Sequence, residues 1–215
     1  MKKFAVILCG CGSMDGSEIH ESVMTMLAID NAGCQYTLFA PDENQYHVIN
    51  HLTQQPMSET RNMRVEAARI GRGNVLDIRD FKAEDFDAVV FPGGFGAAKS
   101  LFTYAFDGAN ATVREDVRKV VVDMFQAHKP IGALCISPVM VAKVLGKVTV
   151  TVGTDAKTIE DVLSFGAKHQ ETAQGEVVTD KEHLIFTTPC YMLPATIKDI
   201  ALCADNLIKS MLESM

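Results

Sequence analysis

Three short stretches of this chain combine reactive side chains with turn-forming residues. In PIGALCISP, residues 130–138, an apolar run leads straight into Cys135, and Ser137 and Pro138 fit the cap and first turn of a helix. A thiol at such a strand-to-helix turn faces the helix N-terminus, where free N–H groups and the macrodipole favour thiolate over thiol. That is the logic of a nucleophile elbow; a buried core cysteine is the competing reading. In VVFPGGFGA, residues 89–97, consecutive glycines let backbone N–H groups approach a ligand or an oxyanion. A sharp turn without a ligand is the plain alternative. In ILCGCGSMDGSEIHES, residues 7–22, two cysteines, three glycines and three acids share sixteen positions. Gly10, Gly12 and Gly16 miss the dinucleotide fingerprint, because three residues separate the last two glycines where two are needed. Cys9 and Cys11 have no second pair to complete a four-ligand metal set, and Cys9 reads as a small buried hydrophobe.

The elements that must hold these stretches follow from apolar runs and periodicity. Strands are expected at 4–9, 35–39, 86–91, 130–134, 147–152, 177–178 and 184–187. Helices are expected at 19–32, near 58–70, at 112–128 with Thr112 and Glu115 in capping-box spacing, from 137 to 145, and at 193–212. Strands alternate with helices, which argues for a mostly parallel sheet covered on both faces in one domain over residues 1–215. Ligands of such sheets sit beyond the carboxyl ends of the strands. The loops at 10–18, 92–100, 135–138 and 188–192 are therefore the ones to inspect.

Composition narrows the classes. Hydrophobic residues make up 47% and charged residues 22%, values of a soluble globular protein. The net charge of −7, without a basic block, argues against nucleic acid or an anionic membrane as partner. No apolar run approaches the roughly 20 residues of a membrane span. Six cysteines, mostly in apolar segments, suggest free thiols in a reducing cytoplasm.

The motifs CGCGSMDGSEIHES, FPGGFGAAK, GALCISP and TTPCYM together resemble the PfpI and class I glutamine amidotransferase-like superfamily, and within it the ElbB-type glyoxalases linked to isoprenoid biosynthesis. The resemblance covers nearly the whole chain. It implies a flavodoxin-like three-layer α/β/α sandwich with Cys135 as nucleophile. The acidic partner, early in the first helix, falls on Glu21, with Glu18 one turn earlier expected to face elsewhere. Oxyanion-type donors fall on Gly93 and Gly94, and on Ile136 as the N–H after the nucleophile. Glycines of the loop at 10–18 are expected to let the chain pass close over Cys135. The family's histidine is missing: Ile136 follows the cysteine, and VGTD stands at 152–155. His169-Gln170-Glu171 resembles the His-x-Glu pair of amidotransferase triads, which a surface strand or turn explains equally well. The implied activity is a cofactor-independent, metal-free glyoxalase acting on a small aldehyde, in a cytoplasmic homodimer. The alternative is a non-catalytic or redox-sensing member. Two like charges in a poorly solvated site repel, so a Cys135–Glu21 pair is expected to share a proton, with the carboxyl neutral and donating to sulfur.

Overall fold

The computed structural model describes all 215 residues. The first apolar run forms β1 (Lys3–Ile7), and the glycine-rich loop after it feeds α1 (Ile19–Asn31). Next come β2 (Gln35–Ala40), the small hairpin of β3 (Ile49–Asn50) and β4 (Gln55–Pro56), α2 (Met63–Ile70), β5 (Leu76–Asp77) and β6 (Ala88–Phe91). Two short helices, α3 (Ala97–Ser100) and α4 (Tyr104–Asp107), lead to α5 (Glu115–Gln126), β7 (Ile131–Leu134) and α6 (Ser137–Leu145). The chain ends with β8 (Thr149–Val150), α7 (Ala156–Ser164), β9 (Lys168–His169), β10 (Val178–Asp180), β11 (Ile185–Thr188) and α8 (Ile197–Leu212).

Seven strands form one sheet in the order β10-β11-β7-β6-β1-β2-β5, parallel except for β10. The chain steps outward from β1 to β2 in one direction and from β6 to β7 in the other. With right-handed crossovers, α1 and α5 therefore cover opposite faces. The fold is a flavodoxin-like α/β/α sandwich, in which α1 packs on α8 and α5 on α6. Between them 53 buried residues form one apolar cluster, with β1, β6 and β7 almost wholly inside it. The direction of winding reverses between β1 and β6. That crevice is where a sheet of this kind binds ligands.

Several expected boundaries moved, each for a local reason. The second helix starts at Met63, not near 58, because Gln45 donates to Arg61 O (2.9 Å) and Asn62 caps the Val65 N–H. No capping box forms at Thr112. Residues 112–113 are extended and pair with 102–103, and Arg114 occupies the N-cap position. The C-terminal helix begins at Ile197 rather than 193, since Leu193 precedes a proline and is extended. Thr196 and Asp199 make the capping box there. Of the expected strand at 147–152, Thr149–Val150 alone is β structure, and it pairs with β9 outside the main sheet.

The loops after β1 and β6 are stacked backbone on backbone. A Cβ on Gly96 would overlap the Gly16 amide, and one on Gly94 would come within 2.5 Å of Glu18 N. Phe95 N–H donates to Ser13 O (2.7 Å) and Lys99 Nζ to Met14 O (2.9 Å), sewing the loops together. Gly94 and Gly96 thus make room for the 10–18 loop, while Gly10, Gly12 and Gly16 lie close to Gln45, His51 and their own loop rather than to Cys135. Gly96→Ala, at ordinary helical φ, should cost more than about 3 kcal/mol or prevent folding, because the obstacle is backbone that cannot rotate away. Gly33→Ala, in open space at φ 67°, should cost about 1 kcal/mol. Urea midpoints of the two variants test the order; equal losses would contradict the stacking.

Candidate active site

Cys135 follows β7 with φ 59°, in the left-handed region that an L-residue occupies at a cost. Three bonds hold the turn. Its N–H donates to Thr188 O on β11 (3.0 Å), Ser137 Oγ donates to Pro92 O (2.8 Å), and Val139 N–H donates to Ile136 O (3.1 Å). Ile136, rather than Ser137, is the N-cap of α6, so Ser137 is free to tie the elbow to the β6 loop. The Gly94 and Ile136 N–H groups favour the Cys135 thiolate.

Glu21 arrives from the first turn of α1 and is fully buried. Gly93 N–H donates to its Oε2 (2.8 Å), while Oε1 has no hydrogen-bond partner of its own. The carboxyl also lies beside the Cys135 thiol, whose hydrogen-bonding influence favours the carboxylate. Gly93 is squeezed between the two: a Cβ there would lie 2.6 Å from Cys135 Cβ and 2.9 Å from Glu21 Oε2. This corrects one expectation. The Gly93 N–H is committed to Glu21, so the N–H groups left to favour the thiolate are those of Gly94 and Ile136.

Burial, reinforced by Glu18, pushes the Glu21 carboxyl up to about 8, against the pull of the Gly93 N–H, the Cys135 thiol and the Tyr191 N–H. Burial and the Glu21 charge hold the Cys135 thiol well above its ordinary value, although the Gly94 and Ile136 N–H groups favour the thiolate. Both shifts express one limit: the pair tolerates at most one negative charge. With Glu21 protonated, the main charge opposing a thiolate is gone and a proton donor stands beside the sulfur.

Cys135 opens onto a cavity of about 430 Å³ at the carboxyl ends of the strands. Phe95, Ile136, Tyr191 and Met192 make its walls mostly apolar. Lys99 Nζ lies 4.4 Å from the centre of the Phe95 ring and steadies it. A larger, open and more polar cleft lies at the other end of the sheet, beside Lys3, Cys34 and Asp85. It is remote from the elbow and shares no residue with the Cys135 cavity.

The sequence reasoning missed two polar groups of the site and misplaced a third. His20 Nδ1 and Tyr191 OH are hydrogen-bonded at 2.7 Å on the cavity rim. Glu18 does not face elsewhere: it lines the same cavity, and its Oε2 accepts the Glu21 N–H (2.7 Å) as the N-cap of α1. The available signal was the run Glu18-x-His20-Glu21 at a helix start, which crowds three polar groups into one turn. His169 accepts the Val152 N–H (3.2 Å) beside β8 and is not part of the cavity. Cys9 is buried against Ser17, with its thiol pushed up to about 12 by burial.

A model of the DJ-1/PfpI family matches residues 6–191. A human relative, glutamine amidotransferase-like class 1 domain-containing protein 3, mitochondrial, is 40% identical; the match covers 98% of this chain and 82% of the relative. The rat ES1 protein homolog, mitochondrial, is 39% identical over 98% of this chain and 83% of its own length. The crystal structure of an isoprenoid biosynthesis protein with amidotransferase-like domain from Ehrlichia chaffeensis superposes with a TM-score of 0.92 at 38% identity, covering 99% of this chain and all of the other.

The raised Glu21 pKa carries a stability signature. A buried carboxyl whose folded value lies above its ordinary one costs nothing while protonated; the penalty grows as pH rises from about 4.5 towards about 8 and is then complete. Glu21→Gln should therefore gain stability relative to wild type across that window, reaching a few kcal/mol at its upper end. Urea unfolding of both proteins from pH 5 to 9 measures the difference. A constant gap would mean that Glu21 titrates normally.

Proposed function

This chain belongs to the DJ-1/PfpI family, and from that premise we propose that it is a cofactor-independent glyoxalase converting glyoxal to glycolate, or methylglyoxal to lactate. The observation that carries the reading is the fully buried Glu21 carboxyl against Cys135 at the end of a small, largely apolar cavity. The Cys135 sulfur adds to one aldehyde carbon while the Glu21 proton goes to the carbonyl oxygen, giving a hemithioacetal. The Glu21 carboxylate then takes the proton from that carbon and returns it to the neighbouring one. The hydroxyl proton of the first carbon passes to the second carbonyl oxygen, so the first carbon is oxidised to a thioester and the second reduced to a carbinol, hydroxymethyl from glyoxal and 1-hydroxyethyl from methylglyoxal, and no external redox partner enters. Water cleaves the thioester, releasing the acid and the thiol.

In this scheme the imidazole that the family places after the cysteine is not required for proton transfer. His20 and Tyr191, joined at the rim, instead hold the second carbonyl oxygen. The Gly94 N–H steadies the oxygen on the carbon that sulfur attacks. All six cysteines are unpaired, which suits a thiol-reducing compartment. That compartment is the cytoplasm or, as the names of the human and rat relatives have it for those proteins, the mitochondrion.

The second reading is a non-catalytic or redox-responding member, tied to the isoprenoid biosynthesis for which the Ehrlichia relative is named. What favours it is the Cys135 thiol itself, which burial holds above its ordinary pKa and so makes a slow nucleophile. Glyoxal consumption and glycolate formation without glutathione separate the two. The wild type should turn over and Cys135→Ser should not. Glu21→Gln should lose about 10²–10⁴-fold in turnover while still forming the thiol adduct. Wild-type adduct formation without turnover would favour the second reading, and full activity in Glu21→Gln would remove the proton-shuttle role.

A further inference from the structure

Cys135 has a counterpart on the next strand. β7 and β11 run parallel with Leu134 opposite Thr188, and just beyond that register each chain reaches a cysteine in the left-handed region. These are Cys135 at φ 59° and Cys190 at φ 43°. Tyr191 and Met192, which follow Cys190 directly, are walls of the Cys135 cavity. A third thiol lies behind the second. One side-chain amide joins them: Gln174 Nε2 donates to Cys190 O (2.8 Å), and Gln174 Oε1 accepts from the Cys203 thiol (3.2 Å). The Gly175 N–H also points at the Cys203 sulfur (3.3 Å). Cys190 and Cys203 are fully buried, whereas Cys135, 7% exposed, opens onto the cavity. A solvent-borne reagent therefore meets Cys135 first, and neither buried thiol has a part in the aldehyde chemistry.

We propose that Cys135, Cys190 and Cys203 form a relay in which a hydroperoxide that oxidises Cys135 is resolved inside the protein as a Cys190–Cys203 disulfide. In the first step the Cys135 sulfur attacks the outer peroxide oxygen and the O–O bond breaks. Cys135 becomes a sulfenic acid, oxidised by two electrons, and the alcohol, or water from hydrogen peroxide, departs. In the second step the Cys190 sulfur attacks the Cys135 sulfur, the S–O bond breaks, and hydroxide leaves as water with the Cys190 proton. In the third, the Cys203 thiolate attacks Cys190, and Cys135 leaves as a thiolate. Two thiols have then been converted to one disulfide, one hydroperoxide has been reduced, and Cys135 is back in its starting oxidation state. An external dithiol resets the pair by exchange.

The local chemistry suits that direction. The influence of the neighbouring Cys190 thiol, with Thr188 and the Gly175 N–H, pulls the Cys203 thiol down to about 6 against its burial. Burial and the influence of Cys203 push Cys190 up. The Gln174 carbonyl accepts from Cys203 in its thiol form, so the sulfur sits between donors and an acceptor and can lose its proton without rearrangement. The last nucleophile in the relay is thus the most acidic of the three. A sulfenic acid that met no thiol would proceed to sulfinic acid, which is not readily reversed.

The test treats reduced full-length protein with one equivalent of hydrogen peroxide, alkylates the free thiols and maps tryptic peptides without reduction; cleavage at Lys198 separates Cys190 from Cys203. In the wild type, a disulfide should join those two peptides while Cys135 remains alkylatable. Cys203→Ala should instead accumulate the Cys135–Cys190 disulfide. Cys135→Ser should form the Cys190–Cys203 link at least about tenfold more slowly, because the buried thiols lose their accessible entry point. Wild-type protein carrying Cys135 sulfinic acid with both other thiols free would overturn the proposal, as would an undiminished rate in Cys135→Ser. Should Cys203→Ala fail to fold, the wild-type and Cys135→Ser arms decide alone. No arm measures aldehyde turnover, so failure of the glyoxalase reading leaves this outcome legible.

Discussion

A carboxyl and a thiol occupy one dry position that tolerates a single negative charge, and much of the molecule is arranged around that limit. Water would let both groups ionise and would remove any reason for them to share a proton. The site therefore replaces water with backbone. Gly93 serves the carboxyl, and Gly94 and Ile136 serve the sulfur. Each donor has to approach closely, so the loop that carries two of them has no side chain where Cys135 and Glu21 meet.

Sheet topology explains why this constraint is met between loops from distant parts of the chain. Winding reverses between β1 and β6, which leaves a crevice at their carboxyl ends. The loop after β1 delivers Glu21, the loop after β6 delivers the donors, and the neighbouring β7 delivers the thiol. Backbone stacking of the first two loops, with Lys99 and Phe95 bonded across them, fixes the carboxyl relative to the donors. Position is thus set mostly by main-chain contacts, with Lys99 as the long side chain that gives up rotamer freedom to reinforce them.

Much of this was legible in the residues. Apolar runs marked β1, β6 and β7, because strands buried on both faces need no alternation. The elbow at Cys135 followed from a strand end running into a helix start, whereas Glu21 was singled out by the family resemblance. What stayed hidden depends on contacts far apart in sequence. The Gly93 N–H looked free, and its acceptor lies 72 residues away. Thr112 and Glu115 had the spacing of a capping box, but Thr112 pairs with Thr103 instead. Glu18 looked a turn out of place, because glutamate seldom caps a helix and the cavity beside it forms only once Tyr191 and Met192 come in from beyond β11. In the sequence Cys190 stands out only within TTPCYM; its place beside the elbow depends on β11 pairing with β7.

The double placement of Glu18 has a thermodynamic consequence. One of its oxygens ends α1 by accepting the Glu21 N–H, and the side chain is also a wall of the cavity. A ligand that recruits this carboxylate competes with the helix for it, and a lost N-cap costs about 1 kcal/mol. Part of any such ligand's binding energy is then diverted into loosening the turn that carries Glu21. Occupancy of the cavity and fraying of the first turn of α1 become linked quantities, so amide hydrogen exchange at Glu21 would register a bound molecule that never touches that residue.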